Sequence, residues 1–320
     1  MNHTRNKTID LIRIIAAFGV VAIHVSYSTQ SAEALTKLFL PICVPFFYIV
    51  SLSYFNLSLK SISQPQIFQR MWLRIIIPFI VWSCIYTLLI FSKSILVGGS
   101  TAFNIWRILF YGESAVQLYF LPQLLMMQLL LLFLYLVNCH KNLVLAAVIL
   151  IVSALYYYVG YGSNCFGMTR PLSLFVYLLS SLWFSSRISG MLGSRKHLFI
   201  GILLIIVSLV PQFVSFTVSD QLSNLPLGGI GMTLLAISIR MNNLGKVLSI
   251  LTPLTFGIYL SHVIFLEAFE FGLKNLAHST LNYDLLTKTL VSTSIFAISA
   301  LFIMLIKQSK SVSRLLLGEQ

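Results

Sequence analysis

The chain has 320 residues, of which 58% are hydrophobic and 9% charged, and its formal net charge is +13. A water-soluble globule cannot hide so large an apolar fraction, and the exposed remainder would aggregate, so an ordinary soluble domain is excluded. The lysines and arginines are scattered among short connections rather than clustered on one stretch, which argues against a nucleic-acid-binding surface.

Apolar stretches of about 20 residues recur along the sequence, the length that crosses a bilayer as an α-helix. Alternating segments of about ten residues, the mark of a spanning β-barrel, are not seen. The predicted fold class is all-α: a polytopic membrane protein with about ten transmembrane helices, both termini cytoplasmic. In chain order the spans fall near 9–29, 36–58, 73–96, 118–138, 142–160, 171–189, 198–217, 225–241, 247–269 and 286–307. The first begins like a signal peptide, with a basic start and an apolar run. Asp10 and Arg13 intrude and no small-residue cleavage site follows, so it reads as a retained span.

Between the third and fourth spans, "AFNIWRILFYGES" places Phe103, Trp106, Leu109 and Phe110 near one helical face. That pattern suits an interfacial helix or a membrane-edge aromatic belt. The cysteines Cys43, Cys84, Cys139 and Cys165 have no metal-ligand spacing, so neither a disulfide framework nor a metal site is predicted. No internal repeat or linker divides the chain, and residues 1–320 read as one integral-membrane domain without a separate soluble one.

The positive-inside rule sets the orientation. With the N-terminus in the cytoplasm, that side receives fourteen basic residues: Arg5, Lys7, Lys60, Arg70, Arg74, Lys141, Arg187, Arg195, Lys196, Arg240, Lys246, Lys307, Lys310 and Arg314. The other side receives six, Lys37, Lys93, Arg107, Arg170, Lys274 and Lys288, with Arg13 left inside the membrane.

The polar residues within spans carry the functional signal. In "LIRIIAAFGVVAIHV" (11–25), Arg13 and His24 interrupt an apolar run. On an α-helix their eleven-position separation is about 1,100° of rotation, some 20° beyond three turns, and about 16 Å of rise. They share one face at different depths, with Asp10 one turn before Arg13. Ionisable groups inside a membrane usually face a bundle interior or a wet cavity and are functional by default. Taken singly, His24 could bond a neighbouring helix and Arg13 could snorkel or pair with Asp10, but the shared face joins them. Arg70 and Arg74 lie one turn apart at the start of the third span. They either grip an anion with their planar forks or serve topology alone. His262 lies in the ninth span; Glu113 and Arg170 lie on outward stretches, where they could meet sugar hydroxyls or remain solvated charges.

The segment "IDLIRIIAAFGVVAIHV" resembles the opening of the integral-membrane acyltransferase-3 family, whose signature is Arg or Lys, ten residues, then His. Four further segments resemble that family in order: "VPFFYIVSLSYF" (44–55), "RMWLRIIIPFIVW" (70–82), "QLYFLPQLLMMQLL" (117–130) and "TFGIYLSHVIFLE" (255–267). The chain departs from the family at Gln117 and Tyr119, where His and Trp are frequent, at Leu52, where Gly is common, and at Val263, where Pro follows the histidine. Gln117 keeps hydrogen-bonding capacity but cannot titrate near neutrality, so no proton-transfer role is assigned to it.

The resemblance implies transfer of an acyl group, usually acetyl from acetyl-CoA, to a glycan hydroxyl. His24 is the expected catalytic base, since neutral imidazole is the usual base near neutral pH. Arg13, Arg70 and Arg74 are expected to bind acetyl-CoA as co-substrate, with no permanently bound cofactor. Asp10, Glu113, Gln117, Arg170 and His262 are candidates for binding the acceptor or supporting the centre. The expected partners are a glycan or lipid-linked glycan and the lipid bilayer, with no nucleic acid, in the bacterial inner membrane. The chain has no Gly-x-Ser-x-Gly elbow, which leaves direct transfer or a transient acyl-imidazole on His24. The alternative is a transporter or flippase of a lipid-linked sugar, but the paired halves with interrupted helices common in transporters are not detected.

Overall fold

The computed structural model describes residues 6–97, 104–137, 171–188, 194–213, 226–239, 241, 245–275 and 281–319. Among the described residues every regular element is helical. The predicted span 142–160, and with it Cys139, Cys165 and Arg170, lies outside them. The chain begins with α1 (Lys7–His24), α2 (Gln30–Phe39) and α3 (Cys43–Leu59), followed by α4 (Gln64–Met71), a π-helical turn (Trp72–Ile76) and α5 (Ile77–Val97). Next come α6 (Ile105–Tyr111), α7 (Phe120–Leu136), α8 (Pro171–Ser185), α9 (Arg195–Phe213) and α10 (Leu227–Ser238). The last group is α11 (Lys246–Leu251), a 3₁₀ turn (Thr252–Leu254), α12 (Thr255–Asn275), α13 (Leu285–Ile306) and α14 (Lys310–Leu317).

Five helical stretches among the described residues are long and apolar enough to cross a membrane: Gln30–Leu59, Gln64–Ile95, Arg195–Phe213, Lys246–Asn275 and Leu285–Ile306. Helices α7, α8 and α10 are apolar but shorter. Helix α1 has 18 residues, yet Lys7, Asp10 and Arg13 make it too charged to join the five on composition. Its place is in the interior, packed against α2, α3, α10, α12 and α13.

Two of the boundaries that differ from expectation have local causes. The first helix stops at His24 rather than continuing to residue 29, because Val25 turns to an extended conformation (φ −71°, ψ 130°). The second span is two helices, α2 and α3, joined by a corner at Leu40–Ile42. Pro41 contributes to the corner, since it has no N–H to donate to the carbonyl of Lys37 four residues back, and the helical ladder of α2 ends there. Pro45 does no harm in the first turn of α3, where its missing N–H has no helical partner to lose.

Local chemistry fixes the start of α1. The side chain of Asn6 accepts hydrogen bonds from the amides of Thr8 (3.0 Å) and Ile9 (3.3 Å), and Asp10 in the first turn complements the positive end of the helix dipole. Further along, Ile9, Ile12, Ala16 and Val20 join the larger core with α3, α5 and α7, whereas Val21 and Val25 join a second core with α12 and α13. Gly19 allows the α2–α3 corner to approach. A Cβ there would lie 2.4 Å from Cys43 Sγ and 2.6 Å from Phe39 Cδ1, closer than atoms can pack.

Candidate active site

Toward the Lys7 end of α1 the helices enclose a cavity of about 910 Å³. Asp10 and Arg13 from α1, Arg70 from α4 and Arg74 from the π-helical turn all line it. Four residues singled out from separate segments of the sequence are therefore brought to one chamber. Tyr54 and Phe55 of α3, Gln128 of α7 and Phe256 of α12 form part of its wall. Asp10 is buried and Arg13 half-buried.

The π-helical turn has a cause in the sequence. Pro78 has no N–H to donate to the carbonyl of Arg74, and its ring would clash with that carbonyl in a regular α-helix. Just ahead of it the helix widens, with the Ile77 amide bonding the Trp72 carbonyl five residues back. Arg74 lies within this widened turn and follows Arg70 at the end of α4, and both residues line the cavity.

The cavity has one wall that sequence reasoning missed. After α14 the chain turns at Gly318, whose φ of 65° is costly for any other residue, and Leu317, Gly318 and Glu319 reach the cavity. Trp82 Nε1 donates to the carbonyl of Leu316 (2.9 Å), and the Glu319 carboxylate accepts from Ser313 Oγ (2.7 Å) and Lys307 Nζ (2.5 Å). A Cβ at Gly318 would lie 2.4 Å from the carbonyl oxygen of Leu73, so the strap lies directly against the π-helical turn. The available signal was the short run Lys310–Leu317 followed by glycine, a usual way for a helix to end.

At the other end of α1, His24 meets His262 of α12, with ring centroids 5.2 Å apart and planes at 41°. The roles of the two rings differ. Nδ1 of His262 lies 2.8 Å from the carbonyl oxygen of Tyr259 and 3.2 Å from that of Ile258. Carbonyls only accept, so Nδ1 carries the proton and Nε2 of the neutral ring keeps its lone pair. That Nε2 is buried without a hydrogen-bond partner among the described residues, and the whole residue is 0% exposed. His24 is half-buried and makes no hydrogen bond among the described residues, which leaves its ring nitrogens available to a substrate.

A polar layer behind the pair fixes α12. The amide of Gln117 donates to the Tyr86 hydroxyl (2.6 Å) and to the carbonyl of Leu260 (3.3 Å), and Tyr86 in turn donates to that carbonyl (2.7 Å). Tyr259 donates its hydroxyl to the backbone carbonyl of Gln117. Gln117 thus holds the same helical turn that orients His262, and it does so as a hydrogen-bonding residue. Glu113 joins neither the arginine cavity nor the histidine pair: it is exposed and pairs with Arg107 at 3.5 Å. Trp106 and Leu109 of α6 are exposed nearby, as an interfacial helix or aromatic belt requires. Among the described residues no three His, Cys, Asp or Glu side chains come together as metal ligands.

An acyltransferase domain family matches residues 6–307. The chain belongs to the acyltransferase-3 family. No curated protein and no solved structure gives a significant match. In this acyltransferase-3 chain the match opens at Asn6, the N-cap of α1, and closes at Lys307, the C-cap of α13. It takes in the cavity arginines and both histidines, while the strap of Lys310–Glu319 lies beyond it. The family favours an acyltransferase over a flippase.

Proposed function

We propose that this membrane acyltransferase moves acetyl from cytoplasmic acetyl-CoA to a hydroxyl of a bacterial surface polysaccharide or its lipid-linked precursor, in the inner membrane. The observation that carries the reading is the placement of Arg13 and His24 on one continuous helix. Arg13 opens into a cavity with Arg70 and Arg74, and His24 meets His262 further along.

Arginine forks suit the phosphates of CoA, which enter the cavity from the cytoplasmic side in this scheme. The about 16 Å of helix between Arg13 and His24 can be followed by an extended pantetheine arm. At His24 the acceptor hydroxyl gives its proton to the imidazole as its oxygen attacks the thioester carbon. The carbon–sulfur bond then breaks, the thiolate leaves, and the proton on His24 is available to it. His262 carries its own proton on Nδ1 and offers a second, desolvated nitrogen beside the reacting groups. An acyl-imidazole on His24 would use the same geometry in two steps.

The deciding experiment supplies membranes containing the protein with radiolabelled acetyl-CoA and compares the surface glycan, by mass spectrometry, with that of cells lacking the gene. Label appearing in the glycan, with loss of one acetyl mass increment when the gene is removed, is the expected result. An unchanged glycan and no transferred label would reject the reading.

A further inference from the structure

One fully buried cation takes no part in the scheme above. Lys288, in the first turn of α13, is 0% exposed, and among the described residues no carboxylate lies within ion-pairing distance of it. Its ammonium donates to the backbone carbonyl of Val25, the residue directly after His24, and lies 5.3 Å from the ring centre of Tyr27. A buried ammonium held by one carbonyl and an aromatic face is costly compared with an apolar side chain of similar length. Its location therefore calls for a role that an apolar side chain could not fill.

We infer that Lys288 is a positioning residue for His24, clamping the end of α1 that presents the imidazole. The inference rests on His24 being the base of the proposed transfer. Val25 is buried and extended, so its carbonyl lies past the helical ladder and would be left without a partner. Lys288 satisfies it and sets a positive charge at the end of α1, where the helix dipole is negative. The clamp has two more links in the same loop. The Ser28 amide donates to the Tyr283 carbonyl (2.9 Å), and the Tyr283 amide donates to Ser28 Oγ (3.0 Å). The loop leaving His24 is thus tied to the start of α13, while His262 is fixed separately on α12. The spacing of the two imidazoles is set between three helices, and Lys288 is the buried tie on the His24 side.

The test uses membranes containing the full chain, radiolabelled acetyl-CoA and the endogenous glycan, with each variant normalised to its folded amount by thermal unfolding in detergent. Lys288→Met keeps the length and removes the donor. It should lower kcat by up to about 10²-fold, the effect of a misplacement of roughly 1 Å, with the KM for acetyl-CoA unchanged because the arginine cavity is untouched. Lys288→Arg should restore most of the lost kcat. A folded Lys288→Met protein with wild-type kcat overturns the inference, as does an equal loss in kcat and donor affinity that Arg does not rescue. If the Met variant does not accumulate folded, Lys288→Gln takes its place with the same two outcomes. A fully active His24→Ala protein in the same membranes would instead overturn the base assignment beneath it.

Discussion

Arg13 and His24 stand on one helix in different surroundings: Arg13 lines the arginine cavity, and His24 lies 5.2 Å from His262. In the proposed scheme anion binding and proton transfer are therefore assigned to different ends of α1, and substitutions at the two ends should leave different kinetic signatures.

Replacing His24 with Ala should abolish transfer while the protein still inserts and folds. General-base assistance is commonly worth about 10²–10⁴-fold in rate. Turnover of labelled acetyl-CoA by the folded variant is the measurement, and near-normal turnover would remove His24 from the chemistry.

Neutralising Arg70 and Arg74 together should behave differently. If they hold the CoA phosphates as proposed, their loss removes binding shared by ground and transition states, so the donor KM should rise much more than kcat at saturation falls. Steady-state kinetics over a range of acetyl-CoA concentrations distinguish the two cases. A fall in kcat with an unaltered KM would place the arginines elsewhere in the mechanism.

Orientation can be read independently. Reporter fusions after residues 30, 65 and 320 should report outside, inside and inside respectively, following the fourteen-to-six charge bias. In sealed, oriented vesicles acetyl-CoA should act only from the cytoplasmic face and an impermeant acceptor only from the other. Efficient reaction with both substrates confined to the cytoplasmic face would exclude transfer through the membrane.

Gly19→Ala tests the close approach of α1 to the α2–α3 corner. The added methyl overlaps Cys43 Sγ and Phe39, and overpacking of this kind costs about 1–3 kcal/mol. The expected readout is a lower midpoint of thermal unfolding in detergent. An unchanged midpoint would mean that the corner yields freely.

What the sequence made legible follows from periodicity. The shared face of Arg13 and His24 needs only that α1 be one unbroken helix, and it is. The Arg70–Arg74 pair was visible as a spacing, and both reach the cavity that Arg13 lines. The corner at Pro41 and the widened turn ahead of Pro78 had local signals, but an apolar run long enough to span masked them. His262 was a candidate for binding the acceptor or supporting the centre, but its ring spacing from His24 was not readable, because it depends on how α1 and α12 dock. Lys288 read as one of six outward charges, since nothing local tells a lysine that ends in solvent from one that ends on the carbonyl of a distant helix. Gln117 was assigned hydrogen bonding rather than proton transfer, and its contacts with Tyr86 and Leu260 are of that kind.

The strap at Leu317–Glu319 makes the arginine cavity a joint between the first and last described helices of the chain. Asp10 and Arg13 lie on α1, and the residues that complete their chamber lie at the end of α14 and just after it, with every other described helix between them. The cavity can therefore be finished only after every intervening helix has been inserted, which makes it a late product of assembly. A practical consequence concerns handling of the protein. A preparation cut back to the family match at residue 307 would lose the wall that Leu317, Gly318 and Glu319 give the cavity.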